Sequence, residues 1–262
     1  MLSQKQAIKW RKEFDKQLTL AEKKAFNKVR KFYKREYYKG VKTYIDSNNI
    51  NYFDIFNFDA IKSIYIDIIP EVCMQFAVWF ADNSSKYQIK EDPKDFTRTW
   101  QRAFNYYAGQ VAASNVTLVS GTAKKSLVAV IRKLYRDPDF ITKGAAERAR
   151  ILRSRFDKYS RYQAMRLVRT ESLRAANYGI EQSALKVYAG RRLKKQWIAF
   201  LDDKTRDWHA IVNNQIRDFD KPFDVGGEQM PRPGEGSARN VVNCRCSMVP
   251  FPEDVESDLP FQ

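Results

Sequence analysis

The chain has 262 residues, 44% of them hydrophobic and 14% aromatic, which is material for a real core in one large or two modest domains and excludes disorder throughout. A formal charge of +16 and a pI near 9.7 point to a polyanion or an acidic protein surface as counterpart, although most single lysines and arginines only solvate helix faces. Three cysteines argue against a disulfide framework and suit a reducing compartment. No apolar leader with a cleavage site opens the chain, and the apolar runs Ile64 to Ile69 and Val72 to Phe80 are short and interrupted by Asp67, Pro70, Glu71 and Gln75. Neither secretion nor a membrane span is therefore expected, and the chain reads as soluble.

From Ile8 to Ile45 apolar residues recur at helical spacing through Phe14, Leu18, Phe26, Val29, Phe32, Tyr33, Tyr37 and Val41. Thr19 and Glu22 have the form of a capping box, which predicts a short helix giving way there to a longer one. Lysines and arginines from Lys23 to Lys39 fill the polar face. Basic residues interleaved with aromatics can grip nucleic acid, but aromatics at this spacing are first of all core. Ser47-Asn48-Asn49 reads as a turn, and the apolar helix from Asp59 to Phe80 should be kinked or split by Pro70. Asp92-Pro93 opens a helix striped with Phe96, Trp100, Phe104, Tyr107 and Val111. Ser120-Gly121-Thr122 caps another, closed by Asp137-Pro138. The run Gly121 to Ser126 lacks both the earlier glycine and the preceding strand of a phosphate-binding loop.

Thr142 to Ala189 is again helical, read as two helices meeting near Tyr159-Ser160 with Gly190 as terminator. This is the most lopsidedly basic region, and arginine's planar fork suits phosphate or carboxylate better than an ammonium does. Arg148, Arg150, Arg153, Arg155, Arg161 and Arg166 are its candidate nucleic-acid-binding residues.

After Gly190 the texture changes. Lys194 to Phe200 alternates as a strand, Thr205 would cap a short helix bearing Trp208, His209 and Val212, and Asn213-Asn214 turns into a second strand near Gln215 to Phe219. A Gly/Pro-rich loop follows, then a last strand from Cys244 to Val249. The expected class is α+β, mainly α: a helical domain over 1–140, arginine-rich helices over 141–190, a small α+β module over 191–255 and a tail over 256–262.

His209, Cys244 and Cys246 are ligand types gathered in that module. A C-x-C pair within a strand puts both thiols on one face, where they and the imidazole suit zinc, with Asp202 or Asp203 as fourth ligand. C-x-C is far less specific than paired C-x-x-C knuckles, and buried cysteines also pack as ordinary hydrophobes, so no cofactor is required and structural zinc stands as the exception to test. Asp202, His209 and Cys244 could be recruited as a nuclease or transferase site, but no G-x-S-x-G, H-E-x-x-H or deaminase signature is present. The competing reading of Asp202, Arg206 and His209 is a polar network holding strand, short helix and last strand together, with Arg206 pairing a carboxylate. A non-enzyme is expected.

The ordered series Arg169-Thr170-Glu171, Asn177-x-Gly179, Lys195-x-Trp197-x-Ala199, Asp202-x-x-Thr205-Arg206-x-x-His209, Pro222-Phe223 and Asn243-Cys244-Arg245-Cys246 resembles the phage Mu F-like family of head-morphogenesis and minor capsid proteins, over about residues 145 to 250. Asn214 stands where that family usually has glycine, and asparagine tolerates the left-handed turn glycine would supply. The resemblance implies a structural protein inside the phage capsid, made in the host cytoplasm, acting in head assembly and DNA ejection. Its implied partners are the portal protein, packaged double-stranded DNA and, further, scaffold or capsid proteins, with no membrane. Some members carry a toxin or nuclease domain after the shared module; the chain ends too soon after Cys246 for one to be expected here. Arg169, Glu171, Trp197, Asp202, Thr205, Arg206, His209 and Asn243 are then structural motif residues.

Overall fold

The computed structural model describes residues 2–47, 55–84 and 97–254. Four long helices dominate it: α1 (Gln4–Ser47), α2 (Phe58–Asn83), α3 (Thr97–Leu134) and, after the single turn α4 (Pro138–Ile141), α5 (Ala145–Val187). A small region of mixed structure follows, with β1 (Leu193–Ile198), α6 (Asp207–Ile211), β2 (Ile216–Asp218), β3 (Phe223–Val225), β4 (Glu228–Met230), α7 (Ala238–Val241) and β5 (Ser247–Pro252). The fold is α+β and mainly α, as the sequence pattern implies.

Among the described residues the helix breaks expected at Thr19, at Ser120-Gly121-Thr122 and near Tyr159-Ser160 are absent, and Pro70 does not split its helix. In α1 the buried residues Phe14, Leu18, Ala21, Ala25, Val29 and Phe32 keep a three-four spacing straight across Thr19, so burial of a continuous stripe outweighs the local capping signal. In α5 Leu152, Phe156, Ser160, Ala164 and Leu167 do the same. Ser160 is not a cap there, and its hydroxyl donates to the Phe156 carbonyl one turn back, at 2.7 Å. Helix α3 runs through Ser120-Gly121-Thr122, and α2 continues through Pro70 with Ile68, Ile69, Val72 and Cys73 all buried around it. At 26 residues α2 is long and apolar enough to span a bilayer, contrary to the expectation of short interrupted runs, but 61% of its most apolar window is buried against the rest of the chain. The Ser47-Asn48-Asn49 turn, the Asp92-Pro93 cap, Phe96 and the tail over 256–262 lie outside the described residues.

Packing groups the chain into two compact units, which differs from a division in chain order. One consists of Lys24–Asp67 and Tyr107–Val168. Its core holds Tyr37, stacked on Phe156 at 4.8 Å between ring centroids, and Phe56, which meets Phe32, Tyr33 and Tyr37. The fully buried Glu36 carboxylate accepts from the Phe56 amide and pairs with Arg35 and Lys39, so its charge is compensated where it is desolvated.

The other unit gathers Met1–Lys23, Ile68–Tyr106 and Arg169–Gln262. It contains the antiparallel sheet β2-β1-β5, in which Trp197 lies opposite Met248, and the β3-β4 hairpin. The hairpin turn is Gly226-Gly227, both at positive φ (61° and 82°), the conformation a two-residue connection with the right twist requires. Asn214 takes the left-handed conformation expected of it, at φ 67°. The N-terminus is tied to the sheet: the Leu2 amide donates to Gln196, and the Trp10 indole N–H donates to the Ser247 hydroxyl, both at 2.9 Å.

Lys195 of β1 is buried, its ammonium donating to the Pro231 carbonyl at 2.6 Å and lying over the Phe223 ring. Burial pushes its pKa from 10.5 down to about 8. Between those two values the folded chain releases a proton that the unfolded chain retains, so the contribution of this site to stability rises with pH from about 8 to 10.5. Urea midpoints measured across that window should therefore rise more in the wild type than in K195M; parallel pH profiles would contradict this account of Lys195.

Candidate functional site: a histidine-cysteine cluster and an arginine-bearing helix

The C-x-C pair is not part of a strand. β5 starts at Ser247, and Cys244 and Cys246 lie in the turn before it, entered through Asn243 at φ 56°. Asparagine is among the few residues that adopt this conformation readily, and the Asn243 amide is held by the Thr170 hydroxyl of α5 at 3.3 Å. The turn nonetheless brings both sulfurs to one ring nitrogen of His209. Nδ1 is 3.4 Å from the Cys246 sulfur and 3.6 Å from that of Cys244, and the three candidate ligand atoms all lie within 4.8 Å of one another. All three residues are buried, with Cys244 3% and Cys246 2% exposed. Hydrogen bonding from Cys246, assisted by His209, holds the Cys244 thiol well below its ordinary pKa against the effect of burial. The same interaction with Cys244, together with burial, pushes Cys246 well up.

The other side of the imidazole faces Asn240, a residue the sequence pattern does not single out. His209 Nε2 lies 3.4 Å from Asn240 Oδ1, which also accepts the Trp208 indole N–H at 2.7 Å. The Asn240 amide nitrogen in turn donates to the Val225 carbonyl and the Glu228 carboxylate. Trp197, fully buried, sets its ring edge-on to His209 and to Phe223, which fixes the imidazole from the β1 side.

Of the remaining motif residues, Arg169, Asp202, Thr205, Arg206 and Asn243 line one open cleft together with His209, whereas Glu171 is buried. Asp202 accepts from the Lys204 amide and the Thr205 hydroxyl, closing an exposed turn. Asp202 lines the same cleft as His209 but is not among the three gathered ligand atoms, and neither is the exposed Asp203, so among the described residues neither stands with the cluster as the expected fourth ligand. Thr205 is not the cap of α6, because its hydroxyl is turned to Asp202 and Arg206 occupies the cap position. Among the described residues Arg206 does not pair with the expected carboxylate; it donates to the Val242 carbonyl at 2.7 Å. Glu171 is buried and paired with Arg174, which also donates to the Gly234 carbonyl. Asn177 stitches α5 to the last strand: its amide nitrogen donates to the Cys246 carbonyl and its oxygen accepts from the Met248 amide. Arg169 is exposed and, with Arg206, Arg245, Lys204 and Phe200, walls an open cleft of about 500 Å³ onto which His209 and Cys246 look. Arg245 is ion-paired with Asp15 of α1 and stacks over Phe200.

The six candidate DNA-contacting arginines all lie on the α5 segment of the unit built from Lys24–Asp67 and Tyr107–Val168. At about 100° per residue, Arg150, Arg153 and Arg161 fall on one flank of the buried stripe and Arg148, Arg155 and Arg166 on the other. Arg148 donates to the Tyr135 hydroxyl, Arg150 pairs with Glu147, and Arg153 lies over the Tyr38 ring. Arg155 and Arg161 are exposed.

The phage Mu protein F like family matches residues 117–249, half of the chain. The chain belongs to that family. Membership places it in phage head morphogenesis and associates it with the virion. The NAD(+)--arginine ADP-ribosyltransferase EFV of Enterococcus faecalis (strain ATCC 700802 / V583) is 30% identical over 99 residues, which are 37% of this chain and 20% of that enzyme. The chain therefore spans only a fifth of that relative. No solved structure matches the chain.

Proposed function

We propose that this Mu F-like protein is a minor head protein of the capsid interior, docking at the portal vertex and contacting packaged DNA without sequence preference, in head assembly and DNA ejection. The observation that carries this reading is the combination of family membership with a +16 chain whose arginines flank α5 on two sides. Guanidinium groups on an exposed helix surface gain phosphate contacts without any need to read bases. Arg155 and Arg161 are the residues assigned to this role, since Arg148, Arg150 and Arg153 are already engaged within their own unit.

The test is affinity for duplex DNA of arbitrary sequence as a function of salt. The wild type should bind with a steep negative slope of log K against log salt. R155A/R161A should flatten that slope by about two, at about 0.9 for each phosphate that is no longer neutralised. Binding indifferent to salt would remove the electrostatic basis of the proposal. Docking is tested separately, by co-sedimentation of the full chain with assembled portal protein.

The stretch in common with the Enterococcus faecalis enzyme favours a transferase as second reading. Against it, the ring nitrogens of His209 face Asn240 and the two cysteine sulfurs rather than Asp202, so no carboxylate orients the imidazole as a base. The shared stretch is read as a common structural module, and incubation with NAD and arginine-bearing acceptors should yield no transfer. Turnover that disappears in H209A would establish the enzyme instead.

A further inference from the structure

We propose that His209, Cys244 and Cys246 bind a zinc-type divalent cation, through Nδ1 and two thiolates, as a brace between α6 and the turn that precedes β5. The donor set and its spacing carry the inference. Tetrahedral zinc with Zn–S near 2.3 Å and Zn–N near 2.0–2.1 Å puts ligand nitrogen and sulfur about 3.6 Å apart, and Nδ1 stands 3.4 and 3.6 Å from the two sulfurs.

The surrounding hydrogen bonds also set the tautomer that such a site needs. An indole N–H can only donate, so the Asn240 atom facing Trp208 is its carbonyl oxygen. The amide nitrogen side is independently fixed by two acceptors, the Val225 carbonyl and the Glu228 carboxylate. The ring atom facing that same oxygen, His209 Nε2, is therefore the protonated one. Nδ1 is left with its lone pair facing the two sulfurs. A cation satisfies all three donors at once, and a ligating histidine whose second nitrogen donates to a fixed oxygen is the usual supporting arrangement. His209 and Cys246 border the open cleft, from which water supplies the fourth ligand. On binding, each thiol gives up its proton, so two protons leave as one dication enters.

The experiment uses the full chain without a histidine tag, stripped of metal with chelator and titrated with cobalt(II) and then zinc. Saturation at one cobalt per chain is expected, with the charge-transfer band of thiolate ligation and the visible bands of a tetrahedral site, displaced by one zinc. Native mass spectrometry should show the mass of one zinc less two protons. C73S should retain the full spectrum, C246S should lose about half of the thiolate band, and N240L, which keeps every ligand, should bind zinc roughly 10–100-fold more weakly. A wild-type chain that takes up no stoichiometric cobalt overturns the proposal without recourse to any variant. So does a spectrum lost in C73S and kept in C246S.

Discussion

Replacing Arg174 with alanine should destabilise the protein by about 3–5 kcal/mol, because it removes the charge partner of a carboxylate that is itself buried. Glu171 and Arg174 are one turn apart on α5, with side chains only 4% and 6% exposed and a nitrogen-oxygen separation of 2.8 Å. Arg174 also reaches across to the Gly234 carbonyl at 2.8 Å, so the same truncation removes the donor from a loop carbonyl of the Gly/Pro-rich segment. For a chain of this size the loss corresponds to a fall in Tm of about 10 °C or more. The comparison that isolates the charge is E171M/R174M. With both ions removed, the desolvation penalty goes with them, and the double variant should be clearly more stable than R174A alone. Equal destabilisation of the two would show that packing and the Gly234 hydrogen bond, not the buried carboxylate, dominate.

Gly179 to alanine should destabilise by about 3 kcal/mol, at the upper end for one added methyl group. A Cβ at this position would sit 2.3 Å from the carbonyl oxygen of Cys73 in α2, and 3.0 Å from its carbonyl carbon and Cα. These are backbone atoms, so no rotamer change relieves the clash, and α2 and α5 would have to move apart where they now touch. Chemical denaturation of G179A should show the loss. C73A/G179A should not recover it, because the obstruction is main chain; recovery would mean that the Cys73 side chain sets the approach.

What the sequence made legible was whatever is encoded at short range. The apolar stripes of the long helices and the left-handed Asn214 follow from spacing and residue type, and so does a first strand, expected over Lys194 to Phe200 and found at Leu193–Ile198. The series from Arg169 to Cys246 sufficed to place the chain in its family. Helix boundaries were less legible. Thr19, Ser120 and Ser160 look like caps in isolation, and only burial of the stripe on both sides turns them into interior residues. The β3-β4 hairpin and α7 sit in a Gly/Pro-rich stretch with strands of three residues, too short for alternation to register.

At the site, His209, Cys244 and Cys246 stood out by rarity and meet as ligand types should. Asp202 shares their cleft but closes a turn with Thr205 instead of joining the ligand atoms, while Asn240 faces the imidazole and carries no signal of its own. Nor can periodicity foresee that Leu2 and Trp10 would be tied to a sheet some 190 and 240 residues later, through Gln196 and Ser247. Those hydrogen bonds depend on which surfaces fit, which spacing along one element does not record.

The central claim, that this Mu F-like chain works at the portal vertex with its α5 arginines toward DNA, is tested most directly by cryo-electron microscopy of the intact particle with symmetry relaxed at that vertex. Density for the chain is expected on the capsid-interior side of the portal, with the surface bearing Arg155 and Arg161 facing the genome. Density for the chain elsewhere in the particle, or α5 turned away from the DNA, would contradict it.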